Sequence, residues 1–342
     1  MTGQELVRDM GRTPGLTLLR PEGPGVTRAR PGMAQGLWGG LGSAAGKRTT
    51  YEPGSLSHPL RDPELLFSLG SGGLGEMDPG ECLETARRLQ PEDASSWARE
   101  WTRTAERLRE VAQHAEVKSR WISAGEAWLR ASAYYRAALH RHPEPQGPDV
   151  VRLARHALVG FTRAVRLLGL PVQPVFIPYE HTSLPGYFFR SLVARGPAPV
   201  VLIHPGRDGW AEDSKSLAEA ALQRGYHCLL FEGPGQGKVL RLKGIPFRPD
   251  WEKVVTPVVD WVRSQRCVDP ERLALVGLGM SESLGPRMAL FERRLKLCTA
   301  HPDARGWVEF AYELLMNART PSPVGTLSVG SQRLFDWLDE RL

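Results

Sequence analysis

Residues 226–237 read Tyr226-His-Cys-Leu-Leu-Phe231 and then Glu232-Gly-Pro-Gly-Gln-Gly237. The first half is a continuous apolar run of strand length, and the second is a glycine-rich turn. An apolar run without alternation belongs to a strand covered on both faces, as in a parallel sheet packed between helices. A long helix, Trp251–Ser264, is expected next. The same unit recurs on either side. Pro199–Ile203 is an apolar strand followed by a helix at about Glu212–Arg224. Asp269-Pro-Glu-Arg leads into a third strand, Leu273–Val276, with a helix around Ser283–Phe291 and a strand Leu295–Ala300 after it. Ahead of these units, Val175–Tyr179 and Leu184–Phe189 flank Glu180-His-Thr-Ser183, the pattern of a hairpin. Strands alternating with helices define an α/β architecture.

The preceding segment has a different period. Trp97, Trp101, Ala105, Leu108 and Ala112 recur at three- and four-residue spacing, so they form one stripe of a helix capped by Ser95 or Ser96. A shorter helix, Glu81–Leu89, is expected before it. Ser123-Ala-Gly-Glu126 has the spacing of a capping box, in which Glu126 reaches back to the cap's N–H. It would open a helix carrying Trp128, Ala131, Tyr135 and Ala138. A fourth helix runs from Asp149 to about Leu168 and stops at Gly169. The Trp/Tyr stripe reads as core. His114, His140, His142 and His156 fall at no metal-ligand spacing.

Residues 1–50 contain eleven glycines and four prolines and show neither period. Such a composition cannot bury enough apolar surface to offset its ordering entropy. The expected organisation is a disordered tail over 1–60, a helical cap domain over 78–170 and an α/β domain over 171–342.

The chain has 342 residues and a formal charge of +6. Seven Lys/Arg against three Asp/Glu fall within residues 1–50. The excess therefore sits mostly in the tail and not on a folded face, which argues against nucleic acid as a partner. No apolar run approaches the ~20 residues of a membrane span. Cys82, Cys228, Cys267 and Cys298 form no CxxC pair. This fits a reducing, cytoplasmic setting and no metal or cofactor.

Ligands of parallel sheets sit outside the carboxyl ends of the strands. Those ends read His204-Pro-Gly-Arg-Asp-Gly209, Glu232-Gly-Pro-Gly-Gln-Gly237, Gly277-Leu-Gly-Met-Ser-Glu-Ser283 and His301-Pro-Asp303. The first can offer a backbone N–H to an oxyanion, which makes His204, Gly206 and Asp208 candidates. The glycines of the second lack phosphate-loop spacing and read as a tight turn beside a cleft. Glu232 is a further binding candidate, and a non-hydrolytic reaction by His204, Asp208, Glu232 and His301 is one reading, although Asp208 can simply cap its loop and Glu232 can be solvated.

At this point the chain resembles the α/β-hydrolase family of 2,6-dihydroxypseudooxynicotine hydrolase and the polyketide-shortening and esterase-like hydrolases. The resemblance rests on Ala131-Ser-Ala-Tyr-Tyr-Arg136, Ile177-Pro-Tyr-Glu180, Leu184-Pro-Gly-Tyr-Phe188 and the His204 loop. It continues through Gly233-Pro-Gly-Gln-Gly237, Pro246-Phe-Arg-Pro-Asp-Trp251 and Val255-Thr-Pro-Val-Val-Asp260. It implies a helical domain over a hydrolase domain and a Ser-Asp-His triad attacking an ester, amide or ketone carbonyl. The family's elbow looks like Gly-Leu-Ser-Met-Gly-Gly followed by Leu-Gly-Pro-Arg. Here Gly277-Leu-Gly-Met-Ser-Glu-Ser283 precedes Leu284-Gly-Pro-Arg287, and the flanks align Gly279 with the nucleophile and Met280 with the residue after it.

Two alternatives follow at the elbow. Ser281 can be a displaced nucleophile in Gly279-Met-Ser281-Glu-Ser283, or a helix cap with its oxygen on a backbone N–H. The triad order in this fold is Ser, then acid, then His. After the elbow His301 is the one histidine, at the end of the neighbouring strand and not at the base's place. A helix over about 304–318 and a terminal amphipathic helix, Gln332–Leu342, are expected after it, with no strand followed by Asp. The expectation is therefore a C-terminally incomplete α/β-hydrolase-like sheet, degenerate as a serine hydrolase. It would keep a cleft for a small acyl or aromatic polyketide-like compound. Self-association, through the helical domain or the last strand's edge, is expected as well. A hydrolase with Ser281 as displaced nucleophile and His301 as a base from an unusual place, a non-catalytic interaction protein and a truncated gene product remain the alternatives.

Overall fold

The computed structural model describes residues 76–90, 92–144, 146–206, 208–278, 288, 291–298 and 326–342. The tail reading, the helix over 304–318 and most of the helix around Ser283–Phe291 fall outside them.

Four helices come first: α1 (Pro79–Arg88), α2 (Ser96–Val117), α3 (Trp121–His140) and α4 (Pro148–Leu168). α3 packs between α2 and α4. Its six alanines and Gly125 keep it slim enough to be buried on most sides. A Cβ at Gly125 would come within 2.6 Å of Leu168 Cγ. The expected stripe is the core: Trp101, Ala105, Leu108 and Ala112 are fully buried, and the Trp101 ring lies 5.6 Å from both Trp97 and Tyr134. His156 stacks on Tyr135 at 5.2 Å, a structural use of one helical-unit histidine. α4 ends where expected, with Gly169 in the left-handed conformation (φ 62°) that favours glycine at a helix C-terminus.

The capping box is corrected. The helix begins at Trp121, two residues before Ser123, and Ser123 lies exposed inside its first turn. Arg120 holds the cap position, and its carbonyl accepts from Ala124 N at 2.9 Å. The tight reversal through Ser119 (φ 53°) sets that start, so Glu126 has no cap to reach.

The sheet has strands β1 (Val172–Tyr179), β2 (Thr182–Phe189), β3 (Ala198–His204), β4 (His227–Phe231), β5 (Val268–Gly277) and β6 (Leu297–Cys298). Their order is β1-β2-β4-β3-β5-β6. The hairpin turns through Glu180 and His181 alone. It joins the sheet antiparallel at β4, so the sheet is mixed, with β4, β3, β5 and β6 parallel. Asp269-Pro-Glu-Arg is the first half of β5 itself and not a lead-in.

Period-two geometry divides the parallel strands between two cores. Val201, Ile203, Leu230 and Val276 face the side covered by α5 (Lys215–Gln223), and their core is continuous with the helical unit. Val200, Leu202, Leu229 and Leu275 face α7 (Glu252–Arg263). A short helix between these, α6 (Gly237–Lys243), was not expected from the glycine-rich sequence. The last helix, α8 (Thr326–Asp339), starts six residues earlier than its amphipathic pattern suggests and adds Leu334, Phe335 and Leu338 to the first core.

Candidate functional site

The carboxyl ends of β3, β4 and β5 converge. β3 and β5 run in register up to the pair His204 and Gly277, and Leu278 N donates to His204 O at 3.0 Å. His204 is fully buried, with its ring 5.7 Å from Phe231 and 5.5 Å from Trp251. Its Nδ1 lies 3.1 Å from the Pro205 carbonyl and 3.4 Å from Gln236 Nε2, and the shorter contact is a hydrogen bond in the tautomer with the proton on Nδ1. In that tautomer Nε2 is an acceptor, and among the described residues it meets no partner. Burial pulls the imidazole down to about 4, so it is neutral at pH 7. A Cβ at Gly277 would lie 2.7 Å from that Nε2. Position 277 therefore admits glycine with little else.

The β3 loop, residues 205–214, lies on the β4 turn through a row of ties. Asp208 N donates to Gly235 O at 3.0 Å, and Gly237 N donates to Gly209 O at 2.9 Å. Gln236 Nε2 donates to Pro205 O. Asp208 adopts φ 62° and ion-pairs with Arg241 on α6, so it does more than cap its own loop. Among the described residues the Gly206 N–H meets no acceptor.

Glu232 is corrected from solvated to fully buried. It accepts from Ala211 N at 2.8 Å, Lys238 N at 2.7 Å and Lys238 Nζ at 2.7 Å. The same ammonium reaches both oxygens of buried Glu212 at 2.7 and 2.8 Å. Glu212 also accepts from Tyr187 Oη at 2.6 Å. One lysine thus faces two carboxylates. Burial pushes Glu232 up to about 7 against the pull of Lys238, and Glu212 adds to the rise. Glu212 stays low because Lys238 and Arg136 outweigh its own burial. Arg136, on α3, pairs with Asp213 at 2.7 Å and links the helical unit to this loop.

The glycines of the β4 turn are steric, as expected of a tight turn. A Cβ at Gly235 (φ 80°) would meet Phe247 at 2.5 Å, and one at Gly237 would meet the Glu232 carboxylate at 2.5 Å. His204, Gly206, Asp208 and Glu232 are thus brought together around two adjoining loops. Gly279, Met280, Ser281 and His301 lie outside the described residues. Glu212, Lys238, Tyr187, Arg136 and Asp213 were not foreseen. Lys238 follows the glycine-rich turn directly, and that adjacency was the available signal. Among the described residues no group of His, Cys, Asp or Glu has the makings of a metal site, and no helix is long and apolar enough to cross a membrane. Cys82, Cys228 and Cys267 are free thiols.

The strand order, the β3 loop beside the end of β5 and the helical unit before the sheet define the α/β-hydrolase fold. The solved structure of 2,6-dihydroxy-pseudo-oxynicotine hydrolase shares this fold, with a TM-score of 0.55 over 75% of each chain at 19% identity. A family model described as Esterase FrsA-like matches residues 92–302, and the chain belongs to that family. Hydrolase acrC of Aspergillus aculeatus is 35% identical over 257 residues, covering 69% of this chain and 60% of that protein. The 20-hydroxy-prefusarin hydrolase FUS2 of Gibberella moniliformis is 34% identical over 245 residues, covering 69% and 58%. The chain thus spans about three fifths of the length of these curated relatives.

Proposed function

We propose that this member of the family binds a small acyl or aromatic polyketide-like compound at the carboxyl ends of β3, β4 and β5, without serine-hydrolase turnover. The supporting observation is Gly277. A nucleophile elbow reads G-x-nucleophile-x-G, and its first glycine is needed because the backbone passes too close to its neighbours for a side chain. Gly277 meets that need against His204 Nε2 at 2.7 Å. If it is the first glycine, the nucleophile position is 279, where this chain has glycine. A displaced nucleophile at Ser281 takes Gly279 as the first glycine and leaves the constraint at Gly277 without a purpose. Glycine at 279 offers no atom to attack a carbonyl, and loss of a triad member costs orders of magnitude in rate. The β3 loop is retained, and with it a Gly206 N–H able to bind an acyl oxygen. The proposed compound class is supported by the relatives, one of which is named for hydrolysis of 20-hydroxy-prefusarin.

The helical unit over 78–170 is proposed as the cap of this cleft, and the chain as a homodimer. A strictly monomeric mass by light scattering at micromolar concentration would refute the latter. The enzymatic reading is tested with a fluorophosphonate probe on the full chain. No adduct is expected at 277–283. Labelling at Ser281 that disappears in Ser281→Ala would overturn the proposal. Binding is tested by titrating 1,3-dihydroxynaphthalene and following tryptophan fluorescence, since Trp210 sits in the β3 loop and Trp251 against His204.

A further inference from the structure

The β3 loop is held from below by charges that stability alone does not require. Lys238 and Glu212 have side chains 5% and 1% exposed, and Glu232 is fully buried. Desolvating buried ions costs several kcal/mol per ion, and apolar packing of similar volume often serves stability as well. An ion cluster of this kind gives direction: the ammonium donates to both carboxylates, and Glu212 and Glu232 each accept from further donors at fixed positions, Tyr187 Oη and Ala211 N. Lys238 Nζ bridges Glu212, on the 3-10 turn Ala211–Ser214 that ends the β3 loop, and Glu232, on the β4 turn. It also lies 4.9 Å from the Tyr187 ring and 5.5 Å from that of Trp210. Gly237 makes the arrangement possible, because a Cβ there would occupy the Glu232 carboxylate. The next residue along from Glu212, Asp213, takes Arg136 of the helical unit at 2.7 Å.

We propose that Lys238 is a positioning residue: by bridging Glu212 and Glu232 it holds the β3 loop at one height over the strand ends, and Arg136–Asp213 ties that height to the helical unit. The proposal rests on the reading that the strand-end cleft is the ligand site. Its own test is independent of any ligand. Hydrogen–deuterium exchange read by mass spectrometry reports the amides of Asp208, Ala211, Gly237 and Lys238, which are the N–H donors of the clamp.

In Lys238→Met, exchange over 205–214 rises about tenfold while the β3 segment 198–203 keeps its wild-type protection. The variant Lys238→Met/Glu212→Gln carries less unpaired buried charge. It recovers thermal stability relative to Lys238→Met and still exchanges fast over 205–214. Unchanged protection of 205–214 in both variants would overturn the proposal. So would a loss spread equally over β3, β4 and the loop in the double variant, which marks a merely structural cluster. Failure of 1,3-dihydroxynaphthalene to bind the wild-type chain counts against the ligand-site reading and leaves the exchange result standing.

Discussion

Replacing Gly277 by alanine tests the packing on which the elbow assignment depends. The new methyl would stand 2.7 Å from His204 Nε2 and 3.0 Å from Cε1. The ring cannot simply step aside. It is fully buried between Phe231 and Trp251, themselves fully buried, and its Nδ1 is bonded to Pro205 O. Overpacking a filled interior costs about 1–3 kcal/mol. Stiffening of the unfolded chain by alanine returns about 0.4–1 kcal/mol. A net loss of about 1–2 kcal/mol is expected. In urea, with a slope of about 2–3 kcal/mol/M, the midpoint falls by roughly half a molar at unchanged slope. The cost should be specific to the ring. His204→Ala in the Gly277→Ala background removes the clash, so the double variant loses less than the sum of the two singles by at least about 0.5 kcal/mol. A midpoint at or above wild type for Gly277→Ala, or strict additivity, would refute the reasoning.

Arg136→Met leaves the half-buried Asp213 without its buried partner and removes the tie between α3 and the β3 loop. A loss of about 3 kcal/mol is expected in the same urea assay. Trp101→Ala empties the centre of the helical unit, where the ring meets Trp97 and Tyr134, and should cost about 3–5 kcal/mol. Glu232 predicts a pH dependence with a definite sign. Its folded value is pushed to about 7, above the 4.5 of an exposed glutamate, so the folded state holds the proton more tightly. Its contribution is most favourable below pH ~4.5 and is lost as pH rises towards 7. The stability of wild type relative to Glu232→Gln should therefore fall between pH 5 and 7.5. A rise over that range would mean that Lys238 and the two backbone N–H donors outweigh the burial and Glu212.

The layers of this molecule were written at different scales in the sequence. The Trp101 stripe and the continuous runs at 199–203 and 227–231 need only local periodicity, and both were legible. The strand order was not, because pairing of β2 with β4 depends on contacts 39 to 45 residues apart. The capping box at Ser123 misled because the left-handed residue at Ser119 starts the helix two residues early. Glu232 was a binding candidate with a solvated alternative, because a carboxylate at a strand end ordinarily meets water. Its burial depends on Lys238, six residues later on a helix that the surrounding glycines and prolines concealed, and on Glu212 from another loop. Gly277 was legible as a motif residue, but its reason, the imidazole of His204 on the neighbouring strand, is a tertiary fact. The longer helices were therefore readable from spacing, while α6 and the chemistry of the strand ends required tertiary contacts such as the register between β3 and β5.

The central claim is that Gly279, and no serine, stands where an α/β-hydrolase presents its nucleophile. A crystal structure of the full chain, read at residues 277–283, tests it most directly. The account predicts Gly279 at the tip of the strand-to-helix turn after β5, with the Ser281 hydroxyl turned to a backbone N–H at the start of the following helix. Ser281 at the tip, with its Oγ open to the cleft and hydrogen-bonded to an imidazole, would contradict it.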